Sequence, residues 1–247
     1  MENSKFDYEE VSPSYEQGTE RRTVIATAFN ALMRKVYVWM TLALVVSGLT
    51  ALYVSQSRSV MESIFSNSIG LWILIIGELA LVFILSARIN KLSFASAGIM
   101  FILYSILNGI TLSFIFLIYT RTSIVSTFFI TAGTFGAMSL IGYNTKKDMT
   151  SIGRYALYAL IGLIIATIVN IFMHNSIFDL FISAAGVVIF VGLTAYDTQK
   201  IKHMFLEYGS DLNESTQKLA LMGSLNLYLD FINLFLYLLR FFGKSNN

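Results

Sequence analysis

Three carboxylates stand where a carboxylate is costly. Glu78 lies in LWILIIGELALVFILSARIN, Asp197 in IFVGLTAYDTQKIKHMF and Asp230 in SLNLYLDFINLFLYLLRFFG. An ionised carboxylate at the centre of a bilayer costs about 2.5–3.5 kcal/mol on insertion scales, so such groups usually face the protein interior and mark ion or proton routes. Asp230 also belongs to a stripe: Asn226, Asp230, Asn233 and Tyr237 follow the i, i+4, i+7, i+11 pattern of a single helix face. Thr194 stands nearly one turn before Asp197. Two carboxylates brought together can share a proton. When both are ionised they make an oxygen-rich site for a hard cation such as Ca²⁺. If Asp197 and Asp230 stand close together, the chemistry to expect is cation passage coupled to pH. Plainer readings stand beside it. Asn226, Asn233 and Tyr237 can form interhelical hydrogen bonds worth under about 2 kcal/mol each. Asp197 can be a solvated helix end, Glu78 can pair with a polar neighbour, and Arg88 can snorkel to the interface. Depth is a further question. At 1.5 Å per residue Asp197 is about 5 Å from Lys200 and Asp230 about 18 Å from Lys218, a mismatch of roughly 10 Å unless a helix tilts or the last one starts below the lipid.

The elements that must hold these residues follow from composition. Of 247 residues, 55% are hydrophobic and 13% charged, and mean hydropathy is +0.67. A soluble domain carries roughly 25% charged residues, so this chain cannot cover a surface that faces only water. Seven apolar segments reach the length of about 20 residues that a spanning helix needs: 36–54, 69–87, 94–119, 123–143, 152–173, 177–197 and 219–242. The runs are continuous, unlike the alternating ten-residue segments of a barrel. The expected fold is all-α, with a polar tail and lead-in over residues 1–35 and a membrane domain over 36–243. Val24, Ala28 and Leu32 share one side of the lead-in, and no cleavable signal peptide is expected before it. The sole proline, Pro13, lies in the tail, so no span has a proline kink. Small residues four apart, Gly133 with Ala137 and Gly162 with Ala166, are expected packing surfaces.

Basic residues set the expected orientation. Arg21, Arg22, Arg34, Lys35, Arg88, Lys91, Lys146, Lys147, Arg154, Lys200, Lys202 and Lys218 fall on one side, and Arg58, Arg121, Arg240 and Lys244 on the other. About twelve against about four puts the N-terminus in the cytoplasm. The C-terminus is then outside, unless the last segment only re-enters.

Other functions find little support. A net charge of +2 without a Lys/Arg stripe argues against nucleic acid. Without cysteine there is no disulfide, thiolate ligand or Cys nucleophile. His174 and His203 are expected on opposite sides of the membrane. HExxH, GxSxG and a phosphate loop are missing, so no enzyme is expected. No inverted repeat or broken helix favours a coupled transporter.

Three blocks in order, GYNTKKDMTSIGRYALYALIGLIIATIVNIF (142–172), GLTAYDTQKIK (192–202) and LNLYLDFINLFLYLLRFFG (225–243), resemble the Bax-inhibitor family, also called the transmembrane Bax inhibitor motif family. The likeness runs from about Arg34 to Gly243 and omits the polar tail. It implies two three-helix layers around a central last helix. It also implies a pH-sensitive calcium leak in which Asp197 and Asp230 are the aspartate pair, Arg88 the latch that engages the pair in the closed state, and Glu78 a path-lining acid. The spacing of Glu78 and Arg88 is about one residue short of the family pattern. The stretch 204–217, with Glu207, Asp211 and Glu214, is longer than usual. The implied partners are the bilayer, protons and calcium as permeant ion, with no tightly bound cofactor, and the implied location is a bacterial inner membrane. Some family members instead act through partners, as cell-death regulators or modulators of a membrane protease. A regulatory protein without transport is therefore the alternative.

Overall fold

The computed structural model describes the backbone of residues 13–65, 68–208 and 213–246, and the side chains of residues 27–57, 59–64, 69–205 and 213–246. The first part of the polar tail and the side chains of Val24, Glu207 and Asp211 lie outside the described residues. The elements are α1 (Pro13–Gln56), α2 (Arg58–Phe65), α3 (Ser68–Arg88), a 3₁₀ turn (Ile89–Lys91), α4 (Phe94–Leu112), α5 (Ile115–Ile118), α6 (Arg121–Asn144), α7 (Thr150–Met173), α8 (Ser176–Tyr208) and α9 (Glu214–Phe242). Among the described residues there is no strand, only an isolated bridge between Tyr119 and Ser245.

Several helix starts are written locally. Ser93, Thr120 and Asn213 each accept a backbone N–H of the first turn, from Ser96, Ser123 and Thr216 at 3.2, 3.2 and 3.0 Å. These caps satisfy donors that have no partner inside the helix. The helix α7 ends on His174 in the left-handed region, φ 50°.

Among the described residues, seven helices are long and apolar enough to cross a membrane, and they correspond to the seven expected segments. Their outer faces need lipid. Phe83 on α3 is 73% exposed and Phe172 on α7 is 80% exposed, amid other bared isoleucines and leucines. So wide an apolar surface is not a water-facing one. The chain is an all-α, multi-pass membrane protein.

Burial decides which helix is central. Two thirds of the apolar stretch of α9 is buried, against a third or less for every other span. It packs on α1 and α4 to one side and on α6 and α8 to the other, while α3 leans on α4, and α7 on α8. That is two three-helix layers around the C-terminal helix. The core between them includes Leu32 and Val36 of α1, Phe101 of α4, and Leu225, Tyr228 and Leu234 of α9.

The last helix runs end to end. At its start, the Glu214 carboxylate accepts the Phe94 N–H at 3.1 Å, beside Lys91. Beyond its other end, the Lys244 carbonyl accepts the Thr120 N–H at 3.0 Å and the Asn246 N–H donates to Ile118 at 2.9 Å. Re-entry is thereby replaced by full passage. One end of the bundle, called the basic end below, carries Arg88, Lys91, Lys146, Lys147, Lys200 and Lys218.

One expectation is corrected. A Cβ added to Gly133 or Gly162 would meet nothing within 4 Å, so these glycines do not mediate close packing. Close approaches of helix backbones occur instead at Gly109, where a Cβ would stand 2.6 Å from the Ser47 carbonyl oxygen, and at Gly142, where it would run into the Ala195 carbonyl. Small-residue spacing is met on lipid faces as well as at interfaces, and sequence does not mark which face is which. The lead-in is continuous in helix with the first span. One unbroken helix runs through residue 35, with Leu32 fully buried and Phe29 stacked on Tyr143 at 5.6 Å.

Candidate functional site

Asp197 and Asp230 meet between α8 and α9. The helix α8 continues to Tyr208, which sets Asp197 about 16 Å in from its end at 1.5 Å per residue. The mismatch in depth narrows because Asp197 is not at a helix terminus. Asp230 is 5% exposed, Asp197 is half-buried, and their carboxyl groups are within hydrogen-bonding reach of each other. Oδ2 of Asp230 is buried and receives no hydrogen bond from any donor among the described residues. Two carboxylates cannot bond to each other while both are ionised. A proton on one of them, or a cation between them, turns the contact into an attraction.

The pair faces a cavity of about 620 Å³. The helices α7 and α9 both pack against α8, and the cavity is the gap left between them. Asn226, Asp230, Asn233 and Tyr237 all line it, which is the stripe read from sequence. Thr194 does not. It is fully buried and its hydroxyl donates to the Phe190 carbonyl at 2.7 Å. Leu157, Leu160 and Ile164 of α7 form the apolar wall, with Thr150, Arg154 and Lys200 toward the basic end. Lys200 is near enough to act on Asp197 electrostatically.

The basic-end rim is pinned by α8. The Gln199 amide donates to the Lys147 carbonyl and accepts the Met149 N–H, both at 2.8 Å. Lys202 donates to the Tyr143 carbonyl at 2.8 Å. In the same loop, hydrogen bonds from Thr150 hold the exposed Asp148 carboxyl below its ordinary range.

Glu78 lies elsewhere, in a second polar network. Its carboxylate accepts from the Thr111 hydroxyl and from the Asn108 amide, the latter at 3.5 Å. Asn108 in turn accepts from the Tyr228 hydroxyl at 2.9 Å, and Tyr228 meets Ser47 at 2.6 Å. This chain joins α3, α4, α9 and α1. Tyr228 and Asp230 are two residues apart on α9, so they point to nearly opposite sides. The structure does not bring Glu78 to the aspartate pair. Arg88 is not there either. Its side chain is exposed at the last turn of α3, with no hydrogen bond or ion pair to any described residue. The cations that line the pair's cavity are Arg154 and Lys200.

At the far end of the cavity Tyr237 forms a partition. Its ring seats on Gly186, where a Cβ would be 2.5 Å away, and stacks on Phe190 at 5.7 Å. Its hydroxyl reaches Thr167. Thr167 also lines a second cavity of about 340 Å³ beyond, with Asn170, Asp179 and Arg240. There Arg240 grips Asp179 with two nitrogens, Nε at 2.7 Å from Oδ2 and Nη2 on Oδ1. Asn170 donates to the same carboxylate at 3.0 Å. Sequence reasoning placed Arg240 only as an outer charge and passed over Asp179. The available signal was an acid and a base near one expected membrane surface. His174 lines this second cavity, whereas His203 lies toward the basic end, so the two are apart as expected.

No group of three or more His, Cys, Asp or Glu side chains positioned to hold a metal ion occurs among the described residues.

The sequence model of the family described as "Inhibitor of apoptosis-promoting Bax1" matches residues 29–247. The inner membrane protein YbhL of Escherichia coli K12 is 49% identical over 212 residues, covering 86% of this chain and 91% of that protein. A Borreliella burgdorferi protein is 47% identical over 218 residues, covering 88% and 94% of the two chains. One from Rickettsia prowazekii is 42% identical over 229 residues, covering 93% and 96%. The match spans all seven membrane helices, and the chain belongs to the Bax inhibitor family.

Proposed function

We propose that this protein is a pH-sensitive cation leak of a bacterial inner membrane, with Ca²⁺ as the permeant ion and the Asp197–Asp230 pair as its control. The observation that carries this reading is the buried, unbonded Oδ2 of Asp230, next to a second carboxyl and facing a cavity. With both groups ionised the pair attracts a divalent cation. With one proton shared between them, one unit of that charge is gone and the attraction falls. Ca²⁺ takes six to eight oxygen ligands in stable sites, and two carboxylates with neighbouring amides supply fewer. That suits an ion in transit, still partly hydrated, better than a resident one.

The E. coli relative is an inner membrane protein, which supports the location, and the excess of basic residues at one end supports a cytoplasmic N-terminus. In this conformation Lys200 is the counter-charge near Asp197, and Arg154 lines the same cavity. A latch through Arg88 would require α3 to move toward α8 and α9.

The test is Ca²⁺ flux into liposomes containing wild type, Asp197→Asn or Asp230→Asn, across a pH series. Flux that varies with pH in wild type, and loses that dependence in both variants, is expected. Identical pH profiles in all three would refute the leak and return the protein to a regulatory role through a partner.

A further inference from the structure

The cavity is poorly matched to a bare inorganic ion. Its volume of about 620 Å³ falls within the range of roughly 300–1,000 Å³ typical of small-molecule sites. One side carries the carboxylate pair. The other is hydrocarbon, from Leu157, Leu160 and Ile164, and the end wall is the stacked Phe190–Tyr237 pair. Seven residues of α9 separate Asp230 from Tyr237, a length of about 10 Å. Such a space offers a negative charge at one point and apolar walls beyond it.

Access fits the same description. The gap lies between α7 and α9, and its wall residues Leu157 and Ile164 are each about half exposed, at 53% and 51%. An amphiphile dissolved in the membrane can reach the gap without crossing the basic-end rim at Arg154 and Lys200. An anionic headgroup would be held at that rim by the two cations and repelled from the deeper position, where the buried groups are carboxylates.

We propose that the cavity between α7, α8 and α9 binds an amphiphilic organic cation, an ammonium or phosphonium with an apolar body, its charge at Asp230 and Asp197 and its body against Leu160, Ile164 and Phe190. The inference rests on reading the pair as a cation site and extends that reading to a second class of ligand. The aromatic end wall adds a surface that attracts cations by their charge as well as by contact. A bound organic cation would stand in the route proposed for Ca²⁺ and block it.

Tetraphenylphosphonium tests this, because its charge does not vary with pH, with neutral triphenylphosphine oxide as the control. Binding to the purified full-length protein in detergent is expected to saturate and to exceed that of the neutral control. Asp230→Asn is expected to weaken phosphonium binding by about tenfold or more. Leu160→Trp, which fills the wall and leaves both carboxylates in place, should also reduce it, and thermal melts verify that each variant is folded. Equal binding of the neutral compound, or wild-type affinity in both variants, overturns the proposal. Flux is measured in parallel. Ca²⁺ flux that is pH-dependent and Asp230-dependent but untouched by phosphonium defeats this inference alone. Phosphonium binding that requires Asp230, with pH profiles of flux unaltered in the variants, defeats the leak and keeps the site.

Discussion

At the scale of single residues, α9 carries two polar side chains of opposite consequence. Asp230 has an oxygen without a donor, and Tyr228 has a hydroxyl with partners on both sides. The first arrangement is unstable unless a proton or cation completes it. The second is a closed structural network, fully buried between Asn108 and Ser47. Tyr228→Phe is accordingly expected to lower stability by about 1 kcal/mol, read as a fall in melting temperature in detergent, and to leave the pH profile of Ca²⁺ flux unchanged. Tyr237 is different again, because it separates two cavities. Tyr237→Ala would join them, and faster Ca²⁺ flux with its pH dependence retained is the expected result. Unchanged or slower flux would show that the partition is not the constriction.

At the scale of elements, backbone approach decides the packing. The helices α6 and α8 touch at Gly142, where any side chain would strike the Ala195 backbone, two residues before Asp197. Gly142→Ala is therefore expected to destabilise the protein and shift α8, with a lower melting temperature and disturbed flux. Gly133→Ala and Gly162→Ala, both in open space, should behave as wild type in the same melts. If all three variants melt alike, the contact between α6 and α8 is not tight. The expected packing pairs fell on the wrong glycines because a spacing of four marks a face without saying what that face meets.

For the whole molecule, seven passages put the two ends of the described chain on opposite sides. The natural chain has no cysteine, so single cysteines report topology without background. With the basic end in the cytoplasm, Lys146→Cys should be shielded from an impermeant maleimide added to intact cells, and Arg121→Cys should be labelled. The reverse pattern would invert the orientation and the direction of access to the pair. The layered arrangement also explains why α9 can hold polar groups. Two thirds of its apolar stretch is screened from lipid by its neighbours, whereas α7 and α3 turn most of theirs outward.

Much of this was written in the sequence. Seven long apolar runs set the helix count, because lipid demands internally bonded backbone over a fixed thickness. The stripe Asn226, Asp230, Asn233 and Tyr237 declared one face, because helix geometry is local. What the fold alone decided was which faces meet. Asp197 reached Asp230 because α8 runs well past it. Glu78, which looked like a third member of the same site, was turned to another side of α9, where Thr111 and Asn108 bind it. Arg88 was left at the end of α3, and Lys200 and Arg154 took the place beside the cavity. These are consequences of helix rotation and partner choice, set by packing among residues far apart in the chain, and spacing along one helix carries no record of them.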